Sequence, residues 1–533
     1  RLHRTALSMI AALLFGLNLY AQQAVNGVLR SPTGEPLSGV TISVKASGRS
    51  AITNDKGEFS IAAVQGDVLV ITHVGYQRRE FTVGRESALN LTLDASAASM
   101  DEVVVIGYGA TTRKNLTTAV AKVDPKNVPK AANNSVSQLL FGRAPGMQAV
   151  QNSAEPGGAI SVSIRGRDNP LVVVDGVVMP FSSLEPGSGN RTMNGNVNRG
   201  GFAGINPNDI ESIEFLKDAS ASIYGVGAQN GVMLITTKKG KAGRTSVSYD
   251  GNRSVIKNMA YFEPLNAMEY MRYYNQLTLD KYLYDNQMAP FGTTPTDLTN
   301  YNNTIKPFTE DQIRDAGEGT DWLSYVLRDG SIDNHNVSIS GATDKVNYYF
   351  SGGYFNQEGT VENSGLKRYT GRMNLTFNLT SFLALTTNVN YGRNEYLNWQ
   401  AGAQCTGVGP EGFGAIQAAL AYPAYLPVHE QGSDKYTRFR LIGNPVSLLD
   451  ISDKTSNTSL LANFSADIKL IPKILTARLI YGINTENAER NFFIPSTTYF
   501  DQLNRSRGAL SSSKRQNQTI EATISYKQRL LNA

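Results

Sequence analysis

The chain has 533 residues, more than one core usually serves, with 41% hydrophobic and 18% charged residues and a formal net charge of +5. No Lys/Arg block or basic–aromatic repeat accompanies that modest charge, so nucleic acid is not an expected partner. A single cysteine, Cys405, excludes an internal disulfide and a Cys-based metal site, and His3, His73, His335 and His429 show no ligand spacing; neither metal nor cofactor is expected.

The chain opens on Arg1, His3 and Arg4, followed by an apolar run from Ala6 to Leu19 and the small residue Ala21 before Gln22. A basic start, a short apolar stretch and a small-residue end predict a secretory signal peptide over 1–21, the alternative being an amino-terminal core helix. Beyond it no apolar run is long enough for a membrane helix, so any membrane role needs a barrel, whose hydropathy signal is weak. Residues 22–94 read as a small β-sandwich, with strands at Val25–Leu29, Val40–Val44, Phe59–Ala62, Val68–Thr72 and Ala88–Leu93. Pro32-Thr33-Gly34, Asn54-Asp55-Lys56-Gly57, Gln65-Gly66-Asp67 and Gly75 separate them as turns.

Residues 95–112 form a small-residue linker followed by Asp101-Glu102-Val103-Val104-Val105-Ile106-Gly107-Tyr108-Gly109. Acids before an apolar β-branched run and glycines after it predict an isolated strand between flexible segments, which a partner strand can complete by edge pairing. A dinucleotide fingerprint starting here lacks its third glycine, since Thr112 stands there, and Arg113-Lys114-Asn115 replaces an apolar helix face. An ordinary domain strand is the other alternative.

From 113 to 240 the residues indicate a compact α+β unit. Leu171–Val174 and Met233–Ile235 are continuous apolar runs, expected of strands buried on both faces. Asp175-Gly176 signals a tight turn, and Asp209 is expected to cap a short helix over Ile210–Phe215. Arg165, Asp175, Glu211, Glu214, Lys217 and Asp218 resemble catalytic acids and bases, but the expected role is an ion-pair network holding this unit against a surrounding wall. No nucleophile–base or metal constellation occurs, so no catalytic residue and no enzyme are expected.

From 241 to 533 apolar and polar residues alternate with a period of two, as in Met373, Leu375, Phe377 and Leu379 against Arg372, Asn374, Thr376 and Asn378. About eight strands are expected, near 245–251, 335–341, 345–355, 370–379, 383–392, 458–470, 475–485 and 519–529, each of roughly 9–11 residues, the length a tilted strand needs to cross a bilayer. Short turns at Gly341–Asp344, Thr380–Phe382 and Ile471–Ile474 alternate with longer connections at 356–369, 393–457 and 485–518. That asymmetry predicts a membrane barrel rather than a soluble sandwich. Plugged barrels of this kind have about 22 strands, so an incomplete, open wall is expected, with its first and last strands apart.

Particular motifs carry a family resemblance over nearly the whole chain. Gly27-Val28-Leu29, Pro36 through Ile42, Thr53 through Phe59 and Val74-Gly75-Tyr76 resemble the carboxypeptidase-regulatory-like domain; no His-x-x-Glu pair is present, and no peptidase is implied. Glu102 through Gly109 resembles the TonB box of the SusC/RagA family of outer-membrane transporters. Ser137 through Gln148, Ser163-Ile164-Arg165-Gly166, Asn169 through Val177, Asn206 through Ser220, and Asn230 through Gly240 resemble that family's plug. The stretch Ala219 to Tyr224 is one residue shorter than the usual pattern, and Val226-Gly227-Ala228-Gln229 lacks an Arg often found there. Asp321-Trp322, His335 through Gly341 and Gly352 through Gly359 resemble its barrel.

The resemblance implies TonB-dependent import across the outer membrane of a nutrient too large for pores. The amino-terminal domain would lie in the periplasm. Expected partners are TonB, bound at Asp101 through Gly109, with ExbB and ExbD, a SusD-like surface lipoprotein, and membrane lipid. The expected ligand is an oligosaccharide, with peptides next. A siderophore or cobalamin receptor and a non-transporting adhesin are the alternatives. No substrate-binding residue is indicated.

Overall fold

In the computed structural model, residues 24–526 are described, except 32–33, 46, 48, 74–75, 77–78, 85–87, 95–102, 107–108, 113–119, 126–127, 129–135, 182–183, 188–198, 200–203, 218, 241–242, 260–262, 399–413, 441, 473 and 499–504. The expected signal peptide Arg1–Ala21 lies outside them.

The first unit is a seven-strand sandwich: β1 (Ala24–Arg30), β2 (Thr41–Val44), β3 (Ser50–Ile52), β4 (Glu58–Ala62), β5 (Val68–Thr72), β6 (Arg79–Thr82) and β7 (Ala88–Thr92). One sheet has the order β4-β1-β7, the other β3-β2-β5-β6. Alternation drives the packing: Phe59 and Ile61 are buried while Glu58 and Ser60 face water, and Leu29, Ile42, Leu69 and Ile71 close the core. Turn chemistry acts as read, with the Asn54 side chain accepting hydrogen bonds from the Lys56 and Glu58 amides at 3.0 and 2.9 Å. Strands β3 and β6 were not expected. Their sequences, Ser-Ala-Ile and Arg-Glu-Phe-Thr, are too short and polar to show a period.

Strand β8 (Val103–Ile106) forms where the sequence predicts, but it is not isolated: it pairs with β9 (Gly109–Thr112) in a two-stranded sheet. Gly109, read as a flexible end, is instead the first residue of β9.

The second unit joins an inner domain to a strand wall. Its inner part comprises β10 (Val120–Val123), β11 (Met147–Gln151), β12 (Ile160–Ile164), β13 (Arg167–Asp168), β14 (Leu171–Val174), β15 (Val177–Met179), β16 (Ile210–Leu216) and β17 (Val232–Thr237). The main sheet runs β10-β16-β17-β14-β15, with β14 and β17 parallel at its centre. Both central strands are buried almost throughout, as continuous apolar runs require. Asp175 (φ 47°) and Gly176 (φ 90°) make the two-residue turn between β14 and β15.

The expected helix over Ile210–Phe215 is a strand. Two β-branched isoleucines and a place between β10 and β17 outweigh the local helical pattern. Asn206, not Asp209, caps the single turn before it, accepting from the Asn208 amide at 3.0 Å.

The wall has eight antiparallel strands in sequence order: β18 (Gly243–Ile256), β19 (Gly330–Ala342), β20 (Val346–Glu358), β21 (Gly365–Asn378), β22 (Leu383–Leu397), β23 (Ser452–Ile471), β24 (Leu475–Ile494) and β25 (Arg507–Tyr526). Strands β18 and β25 stand at opposite edges of this sheet. All eight expected strands are present, but the last three have 20 residues each. At about 3.3 Å per residue such strands far exceed the roughly 25 Å apolar band of an outer-membrane barrel.

The outer face shows where that band ends. On β24, Leu475, Ala477, Leu479, Tyr481 and Ile483 point outward, then Thr485, Asn487, Glu489 and Asn491. On β25 the directly paired series is Tyr526, Ile524, Ala522 and Ile520, then Gln518, Gln516 and Lys514. An aromatic row crosses β18 to β21: Tyr249 bonds His335 at 2.8 Å, His335 lies parallel to Tyr354 with centroids 6.5 Å apart, and Tyr354 meets Tyr369 at 5.4 Å. Rings at a band edge are the usual girdle residues.

Connections alternate short and long as read, but longer strands trim all three of the expected loops, to 359–364, 398–451 and 495–506. The connection 257–329 was unforeseen as a folded segment. It carries α1 (Ala267–Asp285), with Asn266 and Glu269 in a capping box, then α2 (Glu310–Ala316) and α3 (Trp322–Val326). Helix α4 (Ala415–Ala421) lies in the connection 398–451 and packs with α3 around Trp322, Tyr422 and Phe492. Among the described residues no helix is long and apolar enough to cross a membrane.

Candidate functional site

Inward-facing polar residues of the wall meet the inner domain along a seam that starts near the short turns. Asp209, 2% exposed, accepts hydrogen bonds from Tyr349 Oη at 2.9 Å and Ser351 Oγ at 2.8 Å, both on β20. The Asn206 amide donates to Asn336 Oδ1 at 2.8 Å and to Thr370 Oγ1 at 3.3 Å. Asp175 accepts from the Thr237 amide at 3.0 Å and from its hydroxyl, and stands 4.0 Å from Arg372 of β21. Arg372 donates to the Lys238 carbonyl at 2.8 Å and to the Thr237 hydroxyl, and Asn463 donates to the Asp175 carbonyl at 2.9 Å. A carboxylate, a guanidinium and backbone carbonyls thus meet where water is excluded, with the Arg372 Nε left without a hydrogen-bond partner among the described residues.

Further toward the long connections lies a second charged group. Arg490 of β24 donates to both oxygens of Asp453 on β23, at 2.9 and 2.6 Å. Arg199 of the inner domain, fully buried, sits 3.5 Å above the Tyr396 ring and donates to the Pro156 carbonyl at 3.1 Å and to Asn398. Its Nε is 3.2 Å from Glu185 Oε1. Burial pushes the Glu185 carboxyl up to about 7, against the opposing pull of Arg199 and Arg490; Glu155 and Asp453 raise it further.

Small residues allow the close approach. A Cβ on Gly482 would lie 2.6 Å from Val177, and one on Gly392 would lie 2.5 Å from the Gly204 backbone. No side chain fits either place without displacing its neighbour.

Of the six charges singled out in sequence, Asp175 joins the wall through Arg372. Arg165 is exposed in a positive-φ turn between β12 and β13, and Lys217 donates to the Pro145 carbonyl. Both line an open cavity of about 520 Å³ that Arg167, Ser222 and Gln229 also border. Glu211 and Glu214 lie on β16, half-buried and buried. Asp218, Asp101, Glu102, Gly107 and Tyr108 fall outside the described residues; Val103–Ile106 and Gly109 lie in the β8–β9 sheet. Among the described residues no group of His, Cys, Asp and Glu could hold a metal.

Sequence reading missed Arg199, Arg372, Asp453 and Arg490, and gave Asp209 a different role. A signal was available: Arg372 and Asn374 alternate with outward apolar residues, so both must face inward and need partners there.

Comparison with known proteins agrees with this architecture. Residues 112–232 match the TonB-dependent Receptor Plug Domain, and residues 25–105 the CarboxypepD_reg-like domain. TonB-dependent receptor SusC of Bacteroides thetaiotaomicron is 33% identical over 80% of this chain and 38% of its own length. TonB-dependent receptor P26 of Formosa agariphila is 33% identical over 89% of this chain and 44% of its own. The RagAB peptide importer in its open-open state superposes with a TM-score of 0.58 at 25% identity, covering 80% of this chain and 47% of that one. The chain thus spans less than half the length of these relatives.

Inner sheet, inward polar seam and outward apolar wall define a plug with part of a plugged β-barrel. The chain is a homologue of the SusC-type TonB-dependent receptors, with their plug and a CarboxypepD_reg-like domain; such receptors are not enzymes.

Proposed function

We infer that the chain belongs to an outer-membrane importer that takes up a large nutrient using energy delivered through TonB. The observation that carries the reading is the pairing of a plug with a wall whose outer face changes from apolar to polar along β24 and β25. Upstream stands β8, whose far edge has no strand partner among the described residues, and a TonB strand would add there. TonB would act with ExbB and ExbD, and a SusD-like lipoprotein would cover the barrel from the cell surface. The amino-terminal sandwich would lie in the periplasm. The ligand is read as an oligosaccharide. Peptide is the second reading, favoured by the likeness to the RagAB peptide importer.

Val104→Pro in the full-length receptor tests this. Proline removes a ladder donor and fixes φ, so uptake should be lost while membrane insertion and surface ligand binding persist. Normal uptake by the variant would reject TonB coupling at this strand.

A further inference from the structure

On the inner face of the wall, Arg368 of β21 stands directly opposite Asn394 of β22. Both are buried, at 6% and 1% exposure. The Arg368 guanidinium lies 4.8 Å from the Phe355 ring, and among the described residues it has neither a hydrogen-bond nor an ion-pair partner. Both amide atoms of Asn394 are buried and unbonded as well.

The neighbouring acids Glu155, Glu185 and Asp453 all have partners of their own. Glu185 faces Arg199 at 3.2 Å, and Asp453 holds Arg490. Tyr396, next to Arg368 on the same seam, is covered by Arg199. The plug segment that reaches this part of the wall through Leu184, Arg199 and Gly204 contains no Asp or Glu between Glu185 and Asp209, but it does contain Arg191 and Arg199. A buried charge without a partner is costly, and arginine cannot relieve the cost by losing its proton. The adjacent amide has a donor and an acceptor equally unused.

We propose that Arg368 and Asn394 form a binding subsite for a carboxylate carried by the imported solute, as a uronate of an acidic oligosaccharide or a carboxylate of a peptide. The planar guanidinium accepts a carboxylate in a two-point fork, and Asn394 bonds the hydroxyl or amide beside it. The subsite deepens the import reading and rests on it, since it gives the solute a charge.

The test measures binding to the full-length receptor in detergent, which does not depend on TonB. Trigalacturonate is compared with its methyl ester, and triglutamate with its amide form. At least one acid should bind tenfold or more tightly than its neutral counterpart, and the acid that does identifies the source of the carboxylate. Arg368→Gln should abolish that difference, and Arg368→Lys, which keeps charge without the fork, should retain part of it. Acid and neutral forms binding alike, no binding of either acid, or a difference that survives Arg368→Gln would each overturn the proposal. Melting of Arg368→Met separates a binding role from a structural one. It should melt at or above the wild-type temperature without ligand and gain nothing from the acid. A large fall in melting temperature would make Arg368 a packing residue and defeat the proposal. Normal uptake by Val104→Pro with acid binding intact would reject TonB coupling and leave the subsite standing, whereas lost uptake in Val104→Pro with no acid binding in wild type would reject the subsite alone, so the two readings fail independently.

Discussion

Replacing Asp209 tests how firmly the plug is seated. Its carboxylate takes two hydrogen bonds from β20, from Tyr349 at 2.9 Å and Ser351 at 2.8 Å, in a place where Asp209 and Tyr349 are 2% and 4% exposed. A hydrogen bond to a charged group contributes about 1.5–3 kcal/mol, and a buried group left unpaired loses its full desolvation energy. Asp209→Ala removes both bonds at once and should cost roughly 3–5 kcal/mol, whereas Tyr349→Phe should cost about 1.5–3 kcal/mol. The pair should not add: once Asp209 is gone, deleting the phenol removes an orphaned donor and costs little. Denaturant unfolding of the full-length receptor, as wild type, two single variants and the double variant, gives the coupling. A value above about 1 kcal/mol is expected for direct partners. Additive costs, or an Asp209→Ala protein within about 0.5 kcal/mol of wild type, would refute the view that this bond pair anchors the plug.

Three further outcomes follow from the seam and the sandwich. Glu185 has its carboxyl raised from 4.5 to about 7, so its burial favours the protonated form. The associated stability is full below about pH 4.5 and is lost as pH rises through about 7, by at most roughly 3 kcal/mol; melting of Glu185→Gln should lack that component across the same window. Gly482→Leu should wedge the plug from the wall, because even a Cβ would lie 2.6 Å from Val177, and limited proteolysis should then cleave plug loops that wild type protects. Metal analysis of the full-length receptor should find no stoichiometric zinc, and chelator should leave the melting of the sandwich unchanged; bound zinc with peptidase activity would contradict the reading that the sandwich implies no peptidase.

The wall was legible because its lower strands carry one apolar and one polar face. Leu479, Tyr481 and Ile483 alternate with Arg478, Ile480 and Gly482, and despite the inward Ile480 the period is visible without any tertiary information. The upper half of the same strand was not legible. There Asn487 and Glu489 face outward and Glu486 and Arg490 inward, so both faces are polar and the hydrophobic period vanishes although pairing continues. Ile210–Phe215 misled for the opposite reason, since its local pattern suited a helix and only β10 and β17 decide otherwise. Val103–Ile106 was visible as a strand, but Gly-Ala-Thr-Thr gives no sign of being its partner. Asp175 was read as one of six charges paired against the wall; Arg372 stands 4.0 Å from it, and although alternation on β21 turns Arg372 inward, nothing local says which plug residue it meets.

The strand order of the plug has a mechanical consequence. β10 is the first plug strand in the chain and also the outermost of its sheet, attached along one side to β16 by four residue pairs. Any tension applied from the amino-terminal direction therefore meets an edge, not the parallel centre formed by β14 and β17. Stripping four residues breaks only a few backbone hydrogen bonds, about 1 kcal/mol each in net terms. Pulling β17 out instead would tear pairs on both of its sides together. A pull from that side therefore opens a four-pair edge first, while the parallel centre keeps its pairs.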